Sequence, residues 1–306
     1  MPVVDGVSFR VAPGETLAIV GESGCGKTMT ALAVMGLLPV AARRTAGRVA
    51  LEGTELTGLD AEALRRLRGD RLAMIFQEPV ASLNPLLTVG EQLTETLKAH
   101  RDIDERSARA EALRMLAAVG IPEPAMRLTQ YPFELSGGMC QRVMIATALI
   151  CGPRLLIADE PTTALDVTIQ AQILALLKRL RDDTGAAVLL ITHDMGVVAE
   201  LADRLVVMYA GRVAEAGRTA DVFAAPAHPY TRRLLSAIPR LDGPRKTRLA
   251  TIDGVVPDSR DWPAGCRFRP RCPLAADACA EPPPLADLGG GRSAACWRSD
   301  AVGTLA

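Results

Sequence analysis

A glycine-rich stretch near the start of the chain limits the folds that the sequence can adopt. It fits the pattern G-x-x-x-x-G-K-[ST], and its residues are Gly21, Glu22, Ser23, Gly24, Cys25, Gly26, Lys27 and Thr28. Residues 17–20 before it form an apolar run that predicts a buried strand, and residues 29–38 after it predict a helix. A strand, a glycine-rich turn and a helix in this order are the setting of a phosphate-binding P-loop.

The residue types in this stretch suit the binding of a nucleotide phosphate and a magnesium ion. Successive backbone N–H groups in a glycine-rich turn form an anion-binding nest, and the following helix adds the positive end of its dipole. We expect Lys27 to reach the β- and γ-phosphates and the Thr28 hydroxyl to bind Mg²⁺. The alternative is a glycine-rich turn that binds no ligand.

Cys25 lies inside this predicted nest at the start of a helix, where a thiol pKa is lowered. One interpretation is a reactive thiol that a bound nucleotide protects from alkylation. The other is a small side chain that takes the place of a serine.

Composition narrows the class of protein. The 306 residues are 49% hydrophobic, which is enough for one large domain with its own core and a smaller one. The net charge is zero and no basic patch stands out, so nucleic acid is not an expected partner. No apolar run reaches the ~20 residues of a membrane span, and no signal peptide is recognised. We therefore expect a cytoplasmic chain whose seven cysteines are reduced unless a metal holds them.

The order of apolar and helical segments predicts an α/β fold with a mostly parallel sheet. The segments are strands at residues 7–11, 72–76, 155–158 and 188–192, a hairpin at 204–215 around Ala210-Gly211, and a helical insertion within 88–150. After Ile238, prolines and four cysteines indicate a separate C-terminal module. We predict a domain at 1–238, with a helical subdomain at about 80–150, and a module at 239–306.

Polar residues follow three of the predicted buried strands. Asp159 is placed to hold Mg²⁺, and Glu160 to polarise an attacking water. His193 could contact a γ-phosphate, and Gln77 ends another strand. Each residue alone is compatible with a structural role, but ligands bind at the carboxyl ends of strands in open α/β sheets.

A second glycine-rich turn, with Ser136, Gly137 and Gly138, opens a predicted helix. It is either a simple N-cap at Ser136 or a second anion site. One nucleotide does not need two phosphate loops from one chain, so the second could serve a nucleotide held by another subunit.

Together these motifs resemble the ATP-binding subunits of ABC transporters, from residue 4 to about 238. GESGCGKT resembles Walker A, LLIADE Walker B, FQEP the Q-loop, ELSGGM the signature, TTALD (with Asp166) the D-loop and ITHD the H-loop. Met139, the nearby QRVMIA and residues 227–231 are similar to the ATPases of dipeptide/oligopeptide and nickel importers. Those ATPases carry a cysteine-bearing C-terminal extension.

The resemblance implies a P-loop ATPase that hydrolyses ATP with Mg²⁺ to drive import of peptides or a related small solute. Two identical or homologous ATPase subunits would close head to tail, so that Walker A of one faces Ser136, Gly137 and Gly138 of the other. Asp166 of the D-loop would also belong to the nucleotide-binding residues. Glu160 would activate water, His193 would contact the γ-phosphate, and Gln77 would sense Mg²⁺.

The implied partners are two transmembrane permease subunits and an extracytoplasmic solute-binding protein, with the ATPase at the cytoplasmic face of the cell membrane. The alternatives are a soluble ABC-type ATPase and an ATPase with a redox-sensing C-terminal module. Members of the family usually have a first strand and an adenine-stacking aromatic residue upstream of Walker A. This sequence contains neither, and Phe9 is expected to pack in the core. We expect the natural start to lie further upstream. The alternative is that adenine stacking is weak here.

Cys266, Cys272, Cys279 and Cys296 have the spacing C-x5-C-x6-C-x16-C. Four thiols in a reducing compartment indicate a metal rather than disulfides. Structural zinc usually uses tighter pairs, whereas iron–sulfur clusters accept looser spacing. The resemblance implies a structural 4Fe–4S cluster, and zinc is the alternative. The nearby arginines, expected to offset the charge of a cluster, are Arg267, Arg269, Arg271 and Arg298.

Overall fold

The structure is a computed structural model that describes residues 1–163, 166–238 and 251–305. Ala164 and Leu165 of the TTALD segment, and the start of the predicted C-terminal module at residue 239, lie outside the described residues. The chain divides into two compact units. The first contains residues 1–11, 16–33 and 190–306, and the second contains residues 12–15 and 34–189.

Strands and helices alternate along much of the chain. The described residues form ten strands: β1 (Thr16–Val20), β2 (Ala50–Leu51), β3 (Thr54–Glu55), β4 (Leu72–Ile75), β5 (Leu155–Asp159), β6 (Ala187–Thr192), β7 (Arg204–Tyr209), β8 (Arg212–Arg218), β9 (Ala286–Gly289) and β10 (Arg292–Ala294). They also form eleven α-helices: α1 (Lys27–Met35), α2 (Ala61–Leu67), α3 (Pro79–Ser82), α4 (Val89–His100), α5 (Glu105–Ala118), α6 (Pro124–Arg127), α7 (Gly137–Leu149), α8 (Val167–Thr184), α9 (Met195–Leu201), α10 (Thr219–Ala224) and α11 (Pro229–Ser236). None of these described helices is both long and apolar enough to cross a membrane.

The first unit contains a mixed sheet in the order β1-β7-β8-β10-β9. β1 is wholly buried and pairs in parallel with β7, with Leu17 opposite Arg204. β7 and β8 are antiparallel, and the turn between them has positive φ angles at Ala210 (44°) and Gly211 (79°). Two successive left-handed residues match the twist of a two-residue hairpin, so the predicted hairpin is confirmed.

The C-terminal region is part of this first unit. β10 pairs antiparallel with β8, and β9 pairs with β10, so residues 286–294 extend the sheet. Phe268, 2% exposed, packs edge-on against Tyr209 with ring centroids 5.1 Å apart. A separate C-terminal module is therefore not supported for these residues, because a loop-rich segment with few apolar side chains buries them against an existing core. The domain bounds at residues 238 and 239 stay a prediction.

The second unit contains the parallel pair β4 and β5, in which Leu72 lies opposite Leu155. All four residues of β4 are buried, as expected for an apolar run in a parallel sheet. Helices α4 to α7 lie between these two strands in sequence, which confirms the predicted helical insertion. α4 begins with a capping box in which Thr88 and Glu91 exchange hydrogen bonds.

The predicted strand at residues 7–11 is wrong, since the structure describes these residues without strand pairing. Their side chains alternate between half-buried and exposed, and Phe9 is half-buried. Alternation reports which side chains face the protein, and it does not report whether a partner strand is present.

Candidate functional site

The glycine-rich loop of the first unit connects β1 to α1 and needs its glycines. Gly24 and Gly26 have φ angles of 83° and 100°, which side chains rarely adopt. At Gly21 (φ 153°) a Cβ would lie 2.2 Å from the Met208 carbonyl oxygen and 2.7 Å from the Cys25 Sγ. The loop therefore has the conformation in which backbone N–H groups can surround an anion.

Lys27 is 6% exposed, and its ammonium group is held at the start of the loop. Its Nζ donates hydrogen bonds to the carbonyl oxygens of Gly21 (2.7 Å) and Glu22 (3.2 Å). Ser23 and Thr28 are exposed beside it. A compact positive charge next to exposed backbone and hydroxyl groups fits the phosphates and the Mg²⁺ of a nucleotide.

Glu22 of the glycine-rich loop makes contacts that the sequence does not indicate. Its N–H donates to the Tyr230 hydroxyl at 2.7 Å, so this group is not available to the anion nest. Its carboxylate accepts two hydrogen bonds from the Arg271 guanidinium, at 2.7 Å and 2.9 Å. Sequence reasoning missed both partners, because they lie more than two hundred positions away along the chain.

Cys25 is fully buried, and burial raises its thiol pKa although Lys27 acts to lower it. The interpretation as a reactive thiol is wrong, since desolvation of the thiolate outweighs the nearby positive charge. The interpretation as a small packing residue agrees with the position of its Sγ, which would lie 2.7 Å from a Cβ at Gly21. The Cys25 side chain therefore packs directly against Gly21.

His193 lies in the first unit, exposed, directly after β6. The next residue, Asp194, caps α9 by accepting hydrogen bonds from the N–H groups of Gly196 (2.7 Å) and Val197 (3.3 Å). The cap fixes where the chain turns after β6, and so it fixes the backbone position of His193.

In the second unit the predicted carboxylates follow one another at the end of β5. Asp159 is 2% exposed, and Glu160 has a positive φ of 47°. Gln77 Nε2 donates to Glu160 Oε2 at 3.2 Å, and Thr163 Oγ1 donates to the same oxygen at 2.8 Å. A non-glycine residue with positive φ is uncommon, and such residues cluster at functional sites. The structure thus brings together Gln77 and Glu160, and it adds Thr163, which the sequence places in the TTALD motif without indicating this contact.

The second glycine-rich turn lies at the start of α7 in the same unit. Ser136 is the N-cap and accepts a hydrogen bond from the Met139 N–H (3.4 Å). The cap interpretation is confirmed, and the anion site stays a prediction. Gly137 is exposed, and a Cβ there would meet no atom within 4 Å. Asp166 is also exposed and caps α8 through the Ile169 N–H (3.0 Å).

The four C-terminal cysteines are close enough to influence one another. The pKa of Cys296 is raised to about 11, mainly by burial. A hydrogen bond from the Arg298 N–H acts to lower this pKa, and the thiols of Cys272, Cys266 and Cys279 act to raise it. Among the described residues, however, no group of three or more His, Cys, Asp and Glu side chains is close enough together to hold one metal ion.

Two of the four arginines expected to offset the charge of a cluster are paired with carboxylates instead. Arg267 binds Asp5 at 2.5 Å, and Arg271 binds Glu22. An arginine held by a carboxylate contributes little net positive charge to a neighbouring group.

Comparison with protein families gives two matches. The family model described as ABC transporter matches residues 4–163. The model described as oligopeptide/dipeptide transporter, C-terminal region, matches residues 214–279.

Curated relatives resemble almost the whole chain. The dipeptide transport ATP-binding protein DppD of Bacillus subtilis is 55% identical over 88% of this chain and 81% of the relative. The oligopeptide transport ATP-binding protein OppD of Escherichia coli is 50% identical over 96% of this chain and 87% of the relative. The probable peptide ABC transporter ATP-binding protein y4tR of Sinorhizobium fredii is 52% identical over 98% and 90%.

Among solved structures, the chain is similar to the ATP-binding cassette MJ0796, in a dimeric post-hydrolysis state bound to ADP and Pi. The TM-score is 0.63 with 31% sequence identity, over 71% of this chain and 90% of the solved one. Three observations point to the same family: the α/β P-loop fold with its mixed sheet, the motif residues and the similar proteins. The chain belongs to the ABC transporter family, among the ATP-binding subunits of peptide and dipeptide transporters.

Proposed function

We propose that this chain hydrolyses ATP to drive import of peptides, or a related small solute, through a membrane complex. The contact of Gln77 and Thr163 with one oxygen of Glu160 carries the proposal. A carboxylate oriented by two donors is suited to accept a proton from an attacking water. The names of the relatives, which refer to peptide transport, support the choice of substrate class.

The residues divide into those that hold the nucleotide and those that act on water. Lys27 and the exposed N–H groups of the glycine-rich loop would hold the phosphates. Thr28, Asp159 and Gln77 would hold Mg²⁺, which neutralises charge on the phosphates when bound. Glu160 would take a proton from the attacking water. The water oxygen would bond to the γ-phosphorus while the bond between the γ-phosphorus and the leaving oxygen of ADP breaks. His193 would contact the γ-phosphate and hold it in position.

We further propose that the chain works beside a second ATPase subunit, identical or homologous. Ser136, Gly137, Gly138 and Asp166 would complete the nucleotide site of that partner. The exposure of Ser136 and Gly137 at the start of α7 supports this role, because the N-terminus of a helix favours a bound anion. Two permease subunits and a solute-binding protein would complete the complex, with this chain at the cytoplasmic face of the membrane. The ATPase domain would span residues 1–238, and the extension residues 239–306.

The test uses the assembled complex and replaces Glu160 with glutamine. Glu160→Gln removes the proton acceptor and keeps the shape of the side chain, so we expect turnover to fall at least 100-fold while ATP still binds. Glu95→Gln, an exposed change in α4, is the matched control and should leave turnover unchanged. A Glu160→Gln complex that hydrolyses ATP at the wild-type rate would refute the assignment.

For the cysteines we propose a structural 4Fe–4S cluster held by Cys266, Cys272, Cys279 and Cys296, with zinc as the alternative. The Arg298 N–H donates to the Cys296 Sγ at 3.3 Å, an interaction that stabilises a thiolate.

Close packing of the backbone supports the same proposal. A Cβ at Gly265 would lie 2.3 Å from the Ala280 carbonyl oxygen and 2.4 Å from that of Cys279. Gly265 therefore permits the contact in which the Cys266 N–H donates to the Cys279 carbonyl (3.0 Å). This contact brings the segments of two of the cysteines side by side.

Anaerobic purification tests the metal. A cluster gives a brown protein that absorbs near about 400 nm and carries about four iron atoms per chain. Cys272→Ser should lose the colour, whereas Cys140→Ser, a change at a buried cysteine of α7, should keep it. A colourless protein with stoichiometric zinc would decide for the alternative, and a protein with neither metal would refute both.

A further inference from the structure

The phosphate loop is held from outside by two side chains that belong to neither the loop nor its helix. Tyr230 of α11 accepts the Glu22 N–H, and Arg271 binds the Glu22 carboxylate in a bidentate pair. Glu22 is the second residue of the loop, and its backbone and side chain are therefore both fixed. We propose that Arg271 and Tyr230 are positioning residues for the phosphate loop, so that residues beyond 250 set the affinity for nucleotide. This inference rests on the proposed role of the loop in ATP binding.

The pair between Arg271 and Glu22 is not an ordinary surface salt bridge. Exposed pairs of flexible side chains contribute little, because solvent and side-chain entropy offset the attraction. The Arg271 side chain is 6% exposed and that of Glu22 is 28% exposed. Bidentate geometry adds directional precision to the attraction, since both guanidinium nitrogens must face both carboxylate oxygens.

Arg271 itself is anchored by further contacts, so it acts as a fixed support. Its Nε donates to the Asp253 carbonyl at 2.8 Å, and its Nη2 to those of Ile252 and Gly254 at 3.2 Å each. Its Nη1 also lies 3.3 Å from the Tyr209 hydroxyl. An arginine fixed on several sides holds its partner in one position, whereas a mobile one would follow it.

Tyr230 is anchored in the same way. It is fully buried, and its ring packs against that of Tyr209 with centroids 4.8 Å apart. Its N–H donates to Nδ1 of His228 at 3.0 Å, and the Glu215 carboxylate accepts the His228 N–H at 3.0 Å. The hydroxyl that meets Glu22 is thus held by a chain of contacts that begins in β8.

The position of Glu22 also determines the position of the Lys27 ammonium group. The Glu22 carbonyl oxygen accepts the Lys27 Nζ at 3.2 Å and the Cys25 N–H at 3.3 Å. If the first turn of the loop moves, both the ammonium group and the N–H groups behind it move. The effect of losing Arg271 should therefore appear as weaker nucleotide binding.

The experiment measures the dissociation constant of MgATP for the purified full-length chain by titration calorimetry. We expect Arg271→Gln and Glu22→Gln each to weaken binding roughly tenfold, because each removes one partner of a charge-assisted pair. If Arg271 acts through Glu22, the double variant should bind no more weakly than the weaker single variant. Arg271→Lys, which keeps the charge but loses the bidentate fork, should lie between Arg271→Gln and the wild type.

The matched control is Arg269→Gln, an exposed arginine in the same short 3-10 turn, which should bind like the wild type. In the assembled complex, the Arg271→Gln change should raise KM for ATP and leave kcat within about twofold. A role confined to stability would lower the melting temperature and leave both the dissociation constant and KM unchanged, and that result would overturn the inference. If Arg271→Gln does not fold, Glu22→Gln alone decides, and wild-type affinity in that variant would overturn it too.

Lys27→Ala separates this inference from the proposed function. Loss of MgATP binding in Lys27→Ala together with normal binding in Arg271→Gln and Glu22→Gln refutes the positioning role alone. Normal binding in Lys27→Ala refutes the role of the loop itself.

Discussion

Replacing Gly21 with alanine should destabilise the protein far more than an ordinary surface change. The new Cβ would lie 2.2 Å from the Met208 carbonyl oxygen, well inside van der Waals contact. Met208 is fully buried and lies in β7, which pairs with β1, so this oxygen cannot move aside easily. The φ of 153° at Gly21 is also unfavourable for a residue with a side chain.

The two costs can be estimated separately. The backbone conformation costs about 1–3 kcal/mol for a residue other than glycine. Forcing an extra carbon into a well-packed region costs about 1–3 kcal/mol more. The sum, about 2–6 kcal/mol, is a large share of the 5–15 kcal/mol that typically holds a domain folded. The midpoint of thermal unfolding should fall by roughly 5–15 °C.

Gly24→Ala provides the matched control in the same loop. Gly24 has a φ of 83°, but a Cβ there would meet no atom within 4 Å. It should therefore carry only the conformational cost, and Gly21→Ala should unfold at a clearly lower temperature. The assay is calorimetric or circular dichroism melting of the purified full-length chain. Equal midpoints for the two variants would show that the contact with Met208 does not determine the conformation of the loop.

Two further predictions concern buried groups of the first unit. Burial lowers the pKa of His228 to about 4, below the value of about 6.5 in an unfolded chain. Between these values the unfolded state binds more protons, so stability should fall as pH decreases from about 6.5 to about 4, and His228→Asn should flatten that part of a pH series of urea melts. Cys25→Ser should keep MgATP affinity within about twofold, and Cys25 should resist alkylation in the folded chain with or without MgATP, because burial raises its pKa. Rapid alkylation that MgATP slows would restore the reactive-thiol interpretation.

The sequence predicts the elements whose signals are local. β1, β4, β5 and β6 are apolar runs, and a run that is buried on both faces predicts a central strand directly. The hairpin between β7 and β8 follows from Gly211, because glycine accepts the positive φ that a two-residue turn requires. The positive φ of Ala210 is uncommon for a residue with a side chain, and the sequence does not indicate it. The glycine-rich loop follows from its own spacing.

Features that depend on partners far along the chain could not be predicted in this way. β9 is short and exposed, and β10 is short and only partly buried, so no apolar run marks them. Only the pairing of β10 with β8 and of β9 with β10 makes them strands. Residues 7–11 show the opposite case, since they have the alternation of a strand without a strand partner. The burial of Cys25 also depends on tertiary packing, and so the helix dipole alone gave the wrong direction for its pKa.

The segment at residues 227–231 shows how a pattern can be noticed before its physical reason is known. In the sequence, Ala227-His228-Pro229-Tyr230-Thr231 indicates only a resemblance to peptide-importer ATPases. In the structure, the buried Glu215 carboxylate accepts the N–H groups of Ala227 and His228 at 2.8 Å and 3.0 Å.

Those two hydrogen bonds fix the start of α11, and the His228 ring then caps the helix through the Tyr230 N–H. Proline at the first position of the helix costs no hydrogen bond, because its missing N–H would have had no partner in the helix. The result is one tyrosine hydroxyl placed 2.7 Å from the Glu22 nitrogen, 208 positions away in sequence. Spacing rules apply within one helix, strand or turn, so a contact between elements this far apart can be found only once the fold is known.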